Sequence, residues 1–159
     1  MNFHAGDTVV HWAYGLGQVI RLEHRDVLGR DGMYYAVKVG QMMVWVPADD
    51  MLKQRLRAPT SKARFRKLLA DLTTPGEPLP MDRRERKLKI SEFLKAGRVE
   101  SLVALMRCIA SFSRIHSLND DDQTALKRAR SLLAGEWGYA LSVTPAEAET
   151  RLLRLMTPA

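Results

Sequence analysis

The hydrophobic period of this chain changes once, near residue 60, and that change dictates two differently built parts. Before it, apolar side chains come in short runs with a near two-residue alternation, separated by glycines, as half-buried strands require. After it, Phe65, Leu68, Leu69 and Leu72 stand at i, i+3, i+4 and i+7, which is one apolar stripe of a helix. A chain of 159 residues with one such switch has room for two small domains and no more.

The first part spells out its strands. Thr8-Val9-Val10 follows a Gly6-Asp7 turn, and in the run 17–27 Val19, Ile20, Leu22 and Val27 stand among Gln18, Arg21, Glu23 and Arg25. The segment 28–32 (LGRDG) carries two glycines suited to a hairpin, since glycine takes positive φ without strain. Runs 33–39 and 42–46 are rich in aromatic and β-branched residues, and Pro47 removes a donor where the last strand should stop. Such short strands cannot stack as an extended sandwich. They predict a small, bent SH3-like or Tudor-like β-barrel over residues 1–55.

Residues 56–159 predict an all-α bundle of about five helices, so the class is α+β. Ser61 is the N-cap of the first helix. Thr73 to Pro80 (TTPGEPLP) interrupts the chain, and a second helix runs from about Asp82 to Ala96, closed by Gly97. A third starts near Val99, with Leu102, Leu105, Met106 and Ile109 facing a core. Asn119 caps a fourth, whose first turn holds Asp120, Asp121 and Asp122. Thr144-Pro145-Ala146-Glu147 opens a fifth as a capping box with proline at the first helical position.

Charge divides along the same line. Residues 1–50 hold four basic and six acidic side chains, whereas 51–159 hold 21 basic and 12 acidic, net −2 against +9. The window Lys53 to Lys89 alone carries +8. A polyanion would be drawn to the second part, although basic helices are also common as solvated faces.

Several function classes are excluded by what is missing. His4, His11, His24 and His116 are scattered without metal-ligand spacing. Gly15-Leu16-Gly17 lacks the third glycine and the following helix of a dinucleotide site. The three aspartates read as a helix start, and the lone Cys108 as packing. The sequence points to no enzyme, cofactor, metal or small-molecule substrate. It has no run of roughly 20 apolar residues and no leader at its N-terminus, so a cytoplasmic location is expected.

Two groups of residues are left as candidates. Met42-Met43-Val44-Trp45 puts four large apolar side chains in a row on a last strand, where burial of one face needs only alternate ones. The others are covered either by a partner that adds a strand or by the helical part. Arg83-Arg84-Glu85-Arg86-Lys87-Leu88-Lys89 is the densest positive run, with Lys127, Arg128 and Arg130 as a second cluster. Such side chains neutralise phosphates without reading bases.

Specific blocks then carry a resemblance. They are Phe3-His4-Ala5-Gly6-Asp7-Thr8-Val9-Val10, Gly15-Leu16-Gly17, Leu22-Glu23-His24-Arg25, Tyr34-Tyr35-Ala36-Val37-Lys38-Val39, Val46-Pro47-Ala48, and the run 126–136 (LKRARSLLAGE). The chain resembles the CarD/CdnL family of bacterial RNA polymerase-binding transcription regulators. Their N-terminal module is shared with the transcription-repair coupling factor. The resemblance implies a barrel that binds the RNA polymerase β subunit and a helical domain that contacts promoter DNA, stabilising the open complex without covalent chemistry. By position it assigns Arg25 and the strand residues Met43, Val44, Trp45 and Val46 to polymerase. It assigns Arg83, Arg84, Arg86, Lys87, Lys127 and Arg128 to DNA.

Two departures stand out. Many relatives carry a tryptophan ahead of the second helix as a minor-groove wedge, and here Met81 is the apolar residue available. Trp45 stands where some relatives have a second arginine. The rival readings are an RNA- or ribosome-associated protein and a protein adaptor that makes no DNA contact.

Overall fold

The computed structural model describes residues 2–156, and these divide into one unit ending at Pro59 and another starting at Thr60. The first unit contains β1 (Thr8–His11), β2 (Gly15–Val27), β3 (Arg30–Val39), β4 (Met42–Pro47), the single turn α1 (Leu52–Arg55) and β5 (Leu56–Arg57). The strands form one antiparallel sheet in the order β4-β3-β2-β1-β5. The fold class is α+β, as the change of period requires. The short α1 and β5 had no signal in the sequence.

The β2–β3 hairpin turns through Leu28 (φ 54°) and Gly29 (φ 79°). Positive φ at both central residues gives the turn whose twist matches the flanking strands. Glycine takes this conformation freely, while Leu28 takes it under strain and is 99% exposed. Val9, Val19, Tyr35, Val37, Val46, Leu52 and Leu56 form the core of this unit.

One irregularity decides which side chains leave that core. Val19 pairs with Val37, but Arg21 pairs with Ala36 rather than Tyr35, because a bulge intervenes between Val19 and Arg21. Beyond the bulge the alternation is inverted. Leu22 pairs with core Tyr35 but stays 49% exposed, while Arg21, Glu23 and Arg25 take the opposite, outer face. On β4, Val44 and Val46 pair with Val37 and Tyr35, so Met43 and Trp45 share the outer face with Arg25.

The second unit holds α2 (Lys62–Ala70), a 3-10 turn at Asp71–Thr73, α3 (Arg83–Ala96), α4 (Val99–Ser113), α5 (Asp120–Leu141) and α6 (Pro145–Met156). Four of these helices start where the sequence places caps, while α4 starts after Arg98 without a side-chain cap. Ser61 accepts from the Arg64 N–H, Asp82 from Glu85, Thr144 from Glu147, and Asn119 forms a capping box with Asp122. Gly97 ends α3 at φ 63°, the left-handed conformation of a helix C-terminus. The apolar α4 lies central, and Leu105, Met106 and Ile109 are fully buried among Phe65, Leu133 and Leu152.

The proline-rich stretch ahead of α3 is fastened down. Arg107 of α4 donates to the carbonyls of Thr74 (3.1 Å) and Pro75 (2.9 Å), and the Gly76 N–H donates to Ser111 Oγ (3.0 Å). Gly76 lies so close to α4 that a Cβ there would fall on the Arg107 carbonyl group and the Cys108 nitrogen. Leu79 is buried in the helical core.

Candidate functional site

Two surfaces carry the candidate residues, one on each unit. On the first, Trp45 lies on β4, the strand at one end of the sheet, with Arg25 on the same outer face two strands away. The Arg25 guanidinium sits 4.1 Å from the centre of the Trp45 ring. Glu23 joins them: its carboxylate accepts from Trp45 Nε1 (2.6 Å) and Arg21 Nε (2.8 Å), with an Arg25 nitrogen at 3.7 Å. These bonds, the one from Arg21 foremost, hold the Glu23 carboxyl below the usual carboxylate range. Gly32 is the residue paired with Arg25, so no side chain crowds it from β3.

The arrangement gives a half-buried indole with a cation stacked over it, braced by one carboxylate. Arg25 remains 41% exposed, so its remaining donors face solvent. The neighbouring strand residues divide by face. Val46 is 1% exposed in the core and Val44 packs against that core, whereas Met43 lies on the outer side with Trp45. Val44 and Val46 therefore offer a partner their backbone rather than their side chains.

Arg21 and Glu23 were absent from the sequence-based candidates. Their signal was the spacing of Arg21, Glu23 and Arg25, every second residue on one strand, but it pointed to a face only once the bulge was known.

On the second unit, Arg83, Arg84 and Lys87 of α3 are exposed, as are Lys127 and Arg128 of α5. Lys87 and Arg128 line the same groove between α3 and α5, a space of about 260 Å³ floored by Ile90, Leu94 and Ala125. Lys87 is 3.7 Å from Asp121 across the groove. Lys127 lies with Asp120, Gln123 and Arg130 along an adjoining depression. Met81, just ahead of α3, is 64% exposed.

Arg86 departs from the sequence-based expectation that placed it on this basic face. It is 6% exposed and turned inward. Its Nε meets Asp122 Oδ1 at 3.0 Å, its Nη1 donates to the carbonyls of Pro80 (3.3 Å) and Met81 (3.0 Å), and its guanidinium lies 4.7 Å from the Phe112 ring centre. Asp122 completes the set by accepting from the Asn119 N–H. Helical spacing brings Arg83, Arg86 and Lys87 towards one face, but Arg86, at the margin of that face, turns to the core where the buried Asp122 carboxylate pairs with it.

Among the described residues, no group of three or more His, Cys, Asp or Glu is placed to hold a metal ion, and no helix is long and apolar enough to cross a membrane. Cys108 is buried and burial pushes its thiol up, away from the reactive thiolate.

Residues 3–58, the whole of this sheet, match the family described as "CarD-like/TRCF RID domain". The N-terminal unit is thus similar to the CarD-like/TRCF RID domain. Its match ends at the last residues of the first unit, just past β5. A longer similarity runs on into the helices beyond this unit. The chain is 21% identical over 145 residues to the Bacillus subtilis (strain 168) protein named "Putative transcription factor YdeB", covering 89% of this chain and 94% of that protein.

Proposed function

We propose that this chain regulates transcription by tethering to the RNA polymerase β subunit through its RID domain and contacting promoter DNA through its basic helices, which stabilises the open complex. The observation that carries the reading is the pairing of an edge strand with a stacked cation. β4 ends the sheet, so its outward backbone groups have no strand partner among the described residues. Arg25 and Trp45 form a rigid, amphipathic contact on the adjoining face.

An added strand from the β subunit would be held by main-chain hydrogen bonds along β4, with Arg25 and Trp45 supplying the side-chain specificity. Arg83, Arg84, Lys87, Lys127 and Arg128 are exposed cations on two neighbouring helices. They suit phosphate contacts that give affinity without sequence preference. Met81 is the apolar group at the edge of that surface. Arg86, being neutralised by Asp122, is left out of the DNA-facing set.

Calorimetric titration of the full chain into the isolated β-subunit lobe tests the tether. Saturable binding that Arg25→Glu weakens supports it. No binding between folded partners refutes it, and binding of RNA without polymerase would point to the ribosome-associated reading instead.

A further inference from the structure

Arg86 is a buried arginine with more partners than a structural ion pair requires. One nitrogen pairs with Asp122 and another reaches two successive backbone carbonyls, Pro80 and Met81. The planar fork of a guanidinium can serve both directions at once, which a lysine ammonium cannot do in the same geometry. The segment it holds is pinned on both sides. Leu79 is buried in the helical core, 5% exposed, and Asp82 caps α3 through the Glu85 N–H at 3.0 Å. Upstream, Gly76 and the carbonyls of Thr74 and Pro75 are bonded to α4.

Between these anchors stands one large apolar side chain that is left in solvent, Met81 at 64% exposure. It is followed within three residues by the exposed Arg83 and Arg84. A backbone fixed so thoroughly around an exposed apolar residue is a preorganised presentation of that residue.

We propose that Arg86 is a positioning residue: by holding the Pro80 and Met81 carbonyls it fixes the backbone that presents Met81 to DNA. The use of the loop rests on the DNA-contact reading above, while the fixing of the loop does not. Asp122 orients the guanidinium, and its own place in the capping box of α5 ties the loop to a second helix.

The test uses the full chain and two independent readouts. Arg86→Lys keeps a cation beside Asp122 but loses the fork; Arg86→Met combined with Asp122→Asn removes the charge pair and leaves the Asn119 cap an acceptor. In the free protein, the backbone amide order parameter of Met81 should fall from about 0.85 to below about 0.6 in both variants. On a forked promoter duplex, both variants and Met81→Ala should each lose about tenfold in affinity, and joining Met81→Ala to Arg86→Lys should cost no further loss.

An ordered Met81 amide in both folded variants overturns the positioning role, whatever the DNA result. Losses that add when the substitutions are joined overturn it as well, since independent sites add. Failure of the unaltered chain to bind the fork, or full affinity in Met81→Ala, overturns the DNA-contact reading of Met81 and the presentation with it.

Discussion

The guanidinium of Arg25 lies 4.1 Å above the Trp45 ring, although the two residues stand on strands that are not neighbours in the sheet. Glu23, hydrogen-bonded to the indole at 2.6 Å, keeps that ring in place. Stacking of this kind contributes about 0.5–2 kcal/mol, depending on how much water is excluded. Trp45→Ala should therefore weaken binding to the β-subunit lobe about tenfold, and Glu23→Gln by less, because the amide still accepts from the indole. Isothermal calorimetry reads both, and an unchanged affinity in Trp45→Ala would remove this face from the interface.

Neutralising Arg83 and Arg84 together should reduce the dependence of DNA affinity on salt. Each phosphate contact contributes a slope of about 0.9 in log K against log salt, so the pair should lower the slope by about 1.8. Arg86→Gln should not change the slope through lost phosphate contact, because that guanidinium is already paired inside the protein. Fluorescence anisotropy over a salt series separates the two.

Asp122→Ala should destabilise the helical unit by about 3–5 kcal/mol, the cost of leaving a buried arginine without its partner. Both side chains are almost fully buried, so solvent screening gives little relief. Urea denaturation measures the loss, and a change within about 0.5 kcal/mol would mean that the guanidinium finds water in the variant.

Gly76→Ala should cost about 1–3 kcal/mol, since the new methyl group meets the backbone of α4 and backbone cannot swing aside. The effect should appear in the same urea titration, as a lower midpoint at constant slope.

Acid should weaken the first unit through His11. Its buried ring accepts at Nδ1 from the N–H groups of Ala13 (3.1 Å) and Tyr14 (3.2 Å), which only the neutral form can do. Burial lowers its pKa from the ordinary 6.5, so the unfolded chain takes up the proton first. The contribution of neutral His11 is present above about pH 6.5 and is lost as the pH falls from there through the folded value. Thermal melts between pH 8 and pH 5 should show a steeper decline for the unaltered protein than for His11→Asn, whose side chain can accept without titrating.

Much of this protein was determined by sequence alone, because the determining physics is local. The change from strand to helical period fixed the α+β class and the order of the parts. Ser61, Asp82, Asn119 and Thr144 marked helix starts because a side-chain oxygen close in sequence satisfies an otherwise unpaired N–H. The charge asymmetry and the blocks around Arg25 and Val46 were equally legible. Tertiary structure decided what depends on partners far apart in the chain. The bulge after Val19 sets which face Arg21, Glu23 and Arg25 occupy, since a one-residue shift inverts every side chain beyond it. Asp122, 36 residues from Arg86, turns that arginine from a surface cation into a buried strut. Neither outcome is encoded in local spacing, because each is settled by which distant side chain or strand the fold brings alongside.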